Sequence, residues 1–188
     1  MKESPELSFD YLEDERVQDW EDRLDFVMET LSSSHSYEGE RESHENGPGL
    51  LAVQVADDGV EEYAFAMDPN PWDEEDDFPY IDDDIDEVYE MFEEAAYQDG
   101  AVIVTGNGRI LPTNVMLEPP EFTRDEAETI SGMGTKHINA ARISVVPDVV
   151  YAKTLSSTDG HITTYVDGKQ RAPPTERDEV AYRWRDTE

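Results

Sequence analysis

Two short stretches of this chain bring together residue types able to handle a charged ligand. The first is Asp99-Gly100-Ala101, a carboxylate followed by the two smallest residues, placed where a helical pattern gives way to an apolar run. Small residues at such a junction allow a ligand to approach the backbone closely. The second is Ser131-Gly132-Met133-Gly134-Thr135-Lys136-His137, a glycine-bearing loop that opens a helix. There, free backbone amides, the helix dipole, a hydroxyl and a cation could together hold phosphate. Taken alone, a DGA is usually a turn and a GxGT helix opening is usually structural.

Other chemistry-bearing residues have blander readings. The acid runs DEEDD at 73–77 and DDD at 82–84 are interrupted by Pro69, Pro71 and Pro79. They lack the ligand periodicity and central glycine of a calcium loop, so a solvated acidic loop is expected. His35, His44 and His161 have no second ligand at useful spacing. Trp20, Trp72 and Trp184 lack interleaved basic residues and read as packing residues instead of base-stacking platforms.

The elements that must position the two stretches follow from periodicity. Leu12, Val17, Trp20, Leu24, Val27, Met28 and Leu31 predict an amphipathic helix that docks on the body. Residues 35 to 48 read as a loop. Residues 49 to 56 read as a strand, paired in a hairpin with a strand over 60 to 67 through the Asp57-Asp58-Gly59 turn. Ile85 to Ala96 is helical in spacing and leads into Asp99. Residues 101 to 104 and 109 to 117 are expected to form a second hairpin about Gly106-Asn107-Gly108, closed by Pro119 and Pro120. A helix over 123 to 130 capped by Thr123, a helix over 135 to 143, and strands over 149 to 155 and 161 to 166 complete the pattern. The tail from Asp167 reads as loose, with Val180, Tyr182 and Trp184 as a possible docked edge.

Composition narrows the functional classes. The chain has 188 residues, no cysteine, and 14 Lys plus Arg against 47 Asp plus Glu, a formal net charge of -33. The length fits one domain of the common size, roughly 100 to 200 residues. Lack of cysteine excludes disulfides and thiolate metal sites. No apolar run approaches the roughly 20 residues that span a bilayer, and no basic region followed by an apolar stretch opens the chain, so a cytoplasmic protein is expected. The charge opposes general nucleic-acid binding. Acids spread over the whole chain, with lysine only at Lys2, Lys136, Lys153 and Lys169, suggest adaptation to a salt-loaded, halophilic cytoplasm. At molar salt the Debye length falls to about 3 Å and such repulsion is screened.

The order of the motifs then carries a resemblance. Asp99-Gly100-Ala101-Val102-Ile103-Val104, Gly106-Asn107-Gly108-Arg109-Ile110, Gly134-Thr135-Lys136-His137 with Ala140-Ala141, then Ser156, Gly160 and Val166-Asp167-Gly168-Lys169, resemble the diadenylate cyclase domain family, archaeal branch. That family has a DGA motif followed by a GTRHR or GARH motif. The resemblance covers roughly residues 85 to 169, more loosely 49 to 67, and leaves the N-terminal helix unmatched. It implies an α/β (α+β) fold, a mixed central β-sheet flanked by helices. Residues 1–48 would form an acidic helix and loop, 49–169 the nucleotide-binding domain, and 170–188 a charged tail.

The resemblance also implies an activity. Two domains meet face to face, as a homodimer or larger homo-oligomer, each with one ATP. Each ribose 3'-hydroxyl attacks the other nucleotide's α-phosphate, giving cyclic di-AMP and two pyrophosphates. By this resemblance Asp99 is the catalytic residue and binds Mn2+ or Mg2+, while Gly100 and Ala101 lie against the nucleotide. Leu117 packs on the base; Gly134, Thr135, Lys136 and His137 hold the phosphates; Ser156 matches the start of a SEETG segment. This chain departs from the family at Lys136, an arginine position, at Ile138, another arginine position, at Gln98, often histidine, and at Ser157, where the family has a metal-binding glutamate. Those departures favour, as the alternative, a catalytically degenerate sensor or regulatory module that binds ATP or cyclic di-AMP. A third reading, an acidic interaction module with a chance motif match, makes His137 a core histidine. The unmatched first 48 residues are the natural place for regulation.

Overall fold

The run Leu50–Val55 (β1) is buried at every position, which requires neighbours on both edges and cover on both faces. In the computed structural model, which describes residues 15–34, 47–56, 63–66, 78–111, 115–128 and 133–171, it has both. β1 pairs in parallel with Val102–Val104 (β3) and antiparallel with Val149–Leu155 (β5). The sheet continues through Ile162–Val166 (β6) to Lys169–Arg171 (β7), in the order β3-β1-β5-β6-β7. A separate two-stranded ribbon pairs Ala64–Ala66 (β2) with Val115–Leu117 (β4). This is the mixed sheet flanked by helices that the sequence implies.

One face of the sheet is covered by α1 (Glu15–Ser34) and α2 (Ile85–Ala96). Val17, Trp20, Leu24, Val27, Met28 and Leu31 of α1 are all buried, in one cluster with Val88 and Phe92 of α2 and Leu50, Val102 and Tyr151 of the sheet. Asp84 caps α2, its carboxylate accepting from the Asp86 N–H at 2.9 Å. Gly108, at φ +84, lies under Trp20: a Cβ there would fall 2.8 Å from Trp20 Cζ2. The opposite face carries α4 (Thr135–Ile143), whose Ala140, Ala141 and Ile143 pack on Leu51, Val53, Ile103, Ala152 and Tyr165.

Strand pairing departs from expectation in three places. Of the strand expected over 60 to 67, the described part, β2, does not return onto β1, because β3 and β5 occupy both edges of β1; it pairs with β4 instead. Among the described residues the expected hairpin over 101 to 117 is held by isolated bridges, Val104 to Ile110 and Ala101 to Val115, since the ladder partner of β3 is β1. Residues 169 to 171, read as loose tail, form the edge strand β7. Thr123 is not a cap either. It begins the single turn α3 (Thr123–Glu126), is buried, and bonds Pro120 O and the Arg142 guanidinium at 2.6 and 3.2 Å. Residues 1–14, 35–46, 67–77 and 172–188, including Trp72, His35, His44, Val180, Tyr182 and Trp184, lie outside the described residues.

Candidate nucleotide site

The α2–β3 junction and the start of α4 face each other across a cavity of about 1090 Å³ on the α4 side of the sheet. All nine residues singled out from the sequence line it: Asp99, Gly100, Ala101, Leu117, Gly134, Thr135, Lys136, His137 and Ser156. Residues separated by up to 57 positions in the chain thus share one wall-to-wall space.

The DGA corner is shaped by its glycine. Gly100 takes φ 113, a conformation open to glycine, and its N–H donates to Asp99 Oδ1 at 3.0 Å. Asp99 is exposed, whereas Ala101 is buried and its backbone bridges to Val115. Opposite stands the start of α4. Its N-cap, Gly134, is extended and offers no side-chain cap to the first turn, and a Cβ on it would meet nothing within 4 Å. The first amides of a helix have no intrahelical acceptor, so this end offers donors and a positive dipole to an anion.

Lys136 and His137 are less free than the sequence suggests. Lys136 Nζ donates to the Gly49 carbonyl at 2.6 Å, tying α4 to the entry of β1. Burial lowers its pKa, partly offset by the Asp99 carboxylate. It is the one lysine or arginine among the described residues that line the cavity. His137 Nδ1 lies 3.0 Å from both the Tyr165 hydroxyl and Thr154 Oγ1. Burial, and then the nearby His161, hold its pKa below the usual imidazole value, against a smaller opposing pull from Asp159.

The family departures have structural counterparts. Ile138 is half-buried and is not among the lining residues, so the missing arginine is missing from α4's flank. Ser157 lines the cavity and packs on Gly49, where an added Cβ would fall 2.8 Å from Ser157 Cβ. Asp159, the one carboxylate of this segment that could stand in for the missing glutamate, does not line the cavity. It bonds back within its own turn, to the Ser156 side chain and the His161 N–H, which together lower its pKa.

Sequence reasoning missed Leu51, Thr163 and Tyr165, which floor the cavity from the sheet, and Thr154, which reaches His137. Alternation was the available signal: Thr163 and Tyr165 lie two apart on β6, hence on one face. A carboxylate for a hard cation is present in Asp99, but among the described residues no cluster of three or more His, Asp or Glu forms a metal site. That donor set suits an ion that keeps its waters and arrives on substrate phosphates, as Mg2+ usually does.

Residues 80–170 match the DAC family model. Its description is "DisA bacterial checkpoint controller nucleotide-binding", and the match supports the diadenylate cyclase domain family. Every candidate site residue lies inside the matched segment. Among solved structures, a hypothetical membrane spanning protein from Bacillus cereus superposes with a TM-score of 0.54 at 17% identity, over 78% of this chain and 59% of that one. The likeness is one of fold, and the chain spans 59% of that protein's length. A double mutant of DacA from Staphylococcus aureus aligns at 25% identity with a TM-score of 0.46, over 77% of this chain and 84% of that one. No curated protein matches the chain by sequence. Among the described residues no helix is long and apolar enough to cross a membrane.

Proposed function

We propose that the protein is a diadenylate cyclase that condenses two ATP into cyclic di-AMP and two pyrophosphates. The observation that carries this reading is the convergence of the DGA corner and the uncapped, glycine-led start of α4 on one cavity, within the segment that matches the family. Gly100 and Ala101 leave room for the nucleotide against the backbone, Leu117 packs on the base, and the first amides of α4 with Thr135 and His137 hold phosphate oxygens. Asp99 and Ser156 stand at the cavity wall, Asp99 as the carboxylate facing the attacking 3'-hydroxyl. A bound Mn2+ or Mg2+ held by Asp99 and the phosphates would neutralise charge and lower the hydroxyl's pKa. At -33, the chain as a whole repels ATP, which makes that ion necessary.

Each 3'-hydroxyl needs the α-phosphate of a second nucleotide, so the site works between two copies. Phe65 and Met116, register partners on the β2–β4 ribbon, are 49% and 46% exposed beside the cavity and provide an apolar surface for such a meeting. The charge favours a salt-loaded cytoplasm as the working environment, with stability rising from low to molar KCl.

A sensor that binds ATP or cyclic di-AMP without turnover is the second reading. It is favoured by the Lys136–Gly49 bond, which occupies the one lysine that lines the cavity among the described residues, and by Asp159 bonded back within its own turn. Incubation with ATP and Mn2+ in molar KCl, followed by mass spectrometry, separates the two. The cyclase gives cyclic di-AMP and pyrophosphate in the wild type and neither in Asp99→Asn. Binding without product in both proteins points to the sensor, and absence of binding overturns both.

A further inference from the structure

His137 of α4 meets the strands beneath it through a single ring nitrogen. Nδ1 points to the sheet, at 3.0 Å from the Tyr165 hydroxyl on β6 and 3.0 Å from Thr154 Oγ1 on the adjacent β5. Both residues are buried, at 1% and 0% exposure. The imidazole meets the Tyr165 ring edge-on, with centroids 6.2 Å apart and planes at 69°, so its orientation is set by packing as well as by polar contacts.

A buried phenol that loses its hydrogen-bond acceptor is left with an expensive unsatisfied O–H. Burial raises the pKa of Tyr165, so the phenol keeps its proton, and His137 Nδ1 is its acceptor among the described residues. Were Nδ1 protonated, it would donate to the phenol oxygen and leave the buried Tyr165 O–H without an acceptor among the described residues. A bare Nδ1 has one lone pair and accepts from the Tyr165 phenol, with Thr154 Oγ1 close against the same nitrogen. A neutral imidazole with a bare Nδ1 carries its proton on Nε2. His137 lines the cavity while Nδ1 is taken by the sheet, which leaves Nε2–H for whatever the cavity holds.

We infer that Tyr165 and Thr154 are positioning residues that lock His137 in the Nε2–H tautomer, so that the cavity presents a neutral N–H donor to an anionic, phosphate-type oxygen and not a proton acceptor. That the oxygen belongs to a nucleotide rests on the function proposed above; the tautomer does not. The assignment divides the labour of the site: His137 binds and orients, and proton removal falls to the Asp99 side of the cavity.

Long-range 1H–15N spectra of the 15N-labelled full chain, with His137→Gln to assign the signal, read the tautomer directly. The wild type should show a pyridine-like Nδ1 and a pyrrole-like Nε2. In Tyr165→Phe the Nδ1 signal should move toward the position of a nitrogen without a hydrogen-bond donor. Thr154→Val, which keeps shape and strand propensity, should move it the same way by less and serves if the phenylalanine variant folds poorly. A wild-type Nδ1–H tautomer, or an Nδ1 signal unmoved in the folded variants, overturns the inference. Addition of ATP with Mg2+ should shift the Nε2–H proton. An Nε2–H ring that ignores ATP supports the tautomer assignment and overturns the nucleotide reading instead.

Discussion

Lys153 and Thr154 are neighbours on β5 that face opposite sides of the sheet, and the two sides treat polar groups differently. Toward α1, Lys153 is 1% exposed and fully engaged: Glu21 at 3.0 Å, Asp25 at 2.6 Å, and the Tyr151 ring at 5.3 Å. Arg171 of β7 joins Glu21 at 3.1 Å, closing a network that fastens the helix to the sheet. Toward α4, Thr154 meets His137, which lines an open cavity whose exposed Asp99 and uncapped helix start keep bonding capacity in hand. A buried charge with every partner in place serves the fold, whereas polar groups left open around a cavity serve a ligand.

The contrast can be broken by substitution. Lys153→Ala should have the largest effect on stability, about 3 kcal/mol by urea denaturation, because it leaves two carboxylates under α1 without their cation. Gly108→Ala, forced to positive φ against Trp20, should cost about 2 kcal/mol on the same side of the sheet. Lys136→Met, which orphans the Gly49 carbonyl, should cost about 1 to 2 kcal/mol and also weaken ATP binding, the signature of a residue belonging to the cavity. Were Lys153→Ala to weaken ATP binding in still-folded protein as much as Lys136→Met does, the division between the faces would fail.

The smallest effect is one of pH. Burial alone would raise the pKa of Glu21, but Lys153 and Arg171 together lower it below its usual 4.5. Its contribution to stability is therefore complete above pH 4.5 and lost as pH falls through the lower folded value. Glu21→Gln should lower stability by a constant amount above pH 6 and flatten the acid part of the denaturation profile.

How much of this was legible in the sequence depended on the kind of interaction. Helices over Ile85–Ala96 and Thr135–Ile143 and the strand Val149–Leu155 have the bounds that periodicity gives, because each buries one repeating face or a continuous run. Pairing was not legible: nothing in residues 49 to 67 says that β1 has two better partners than its neighbour, and long-range register is written in the sheet and not in the turn. The edge strand β7 escaped because Lys169, Gln170 and Arg171 are all exposed and polar. The candidate site was legible as motifs that the fold brings to one cavity, because their small residues and helix opening are local. Its control of His137 was not, since Tyr165 and Thr154 look like ordinary strand residues until β5, β6 and α4 are brought together.

Hydrogen–deuterium exchange of the full chain in molar KCl, with and without ATP and Mn2+, tests the central claim most directly. The account predicts slowed exchange at residues 99–101, 115–117, 133–139 and 155–163, with the α1 segment up to Leu31 unchanged. Slowed exchange concentrated on α1, or none at the α4 start and the DGA corner, would contradict it.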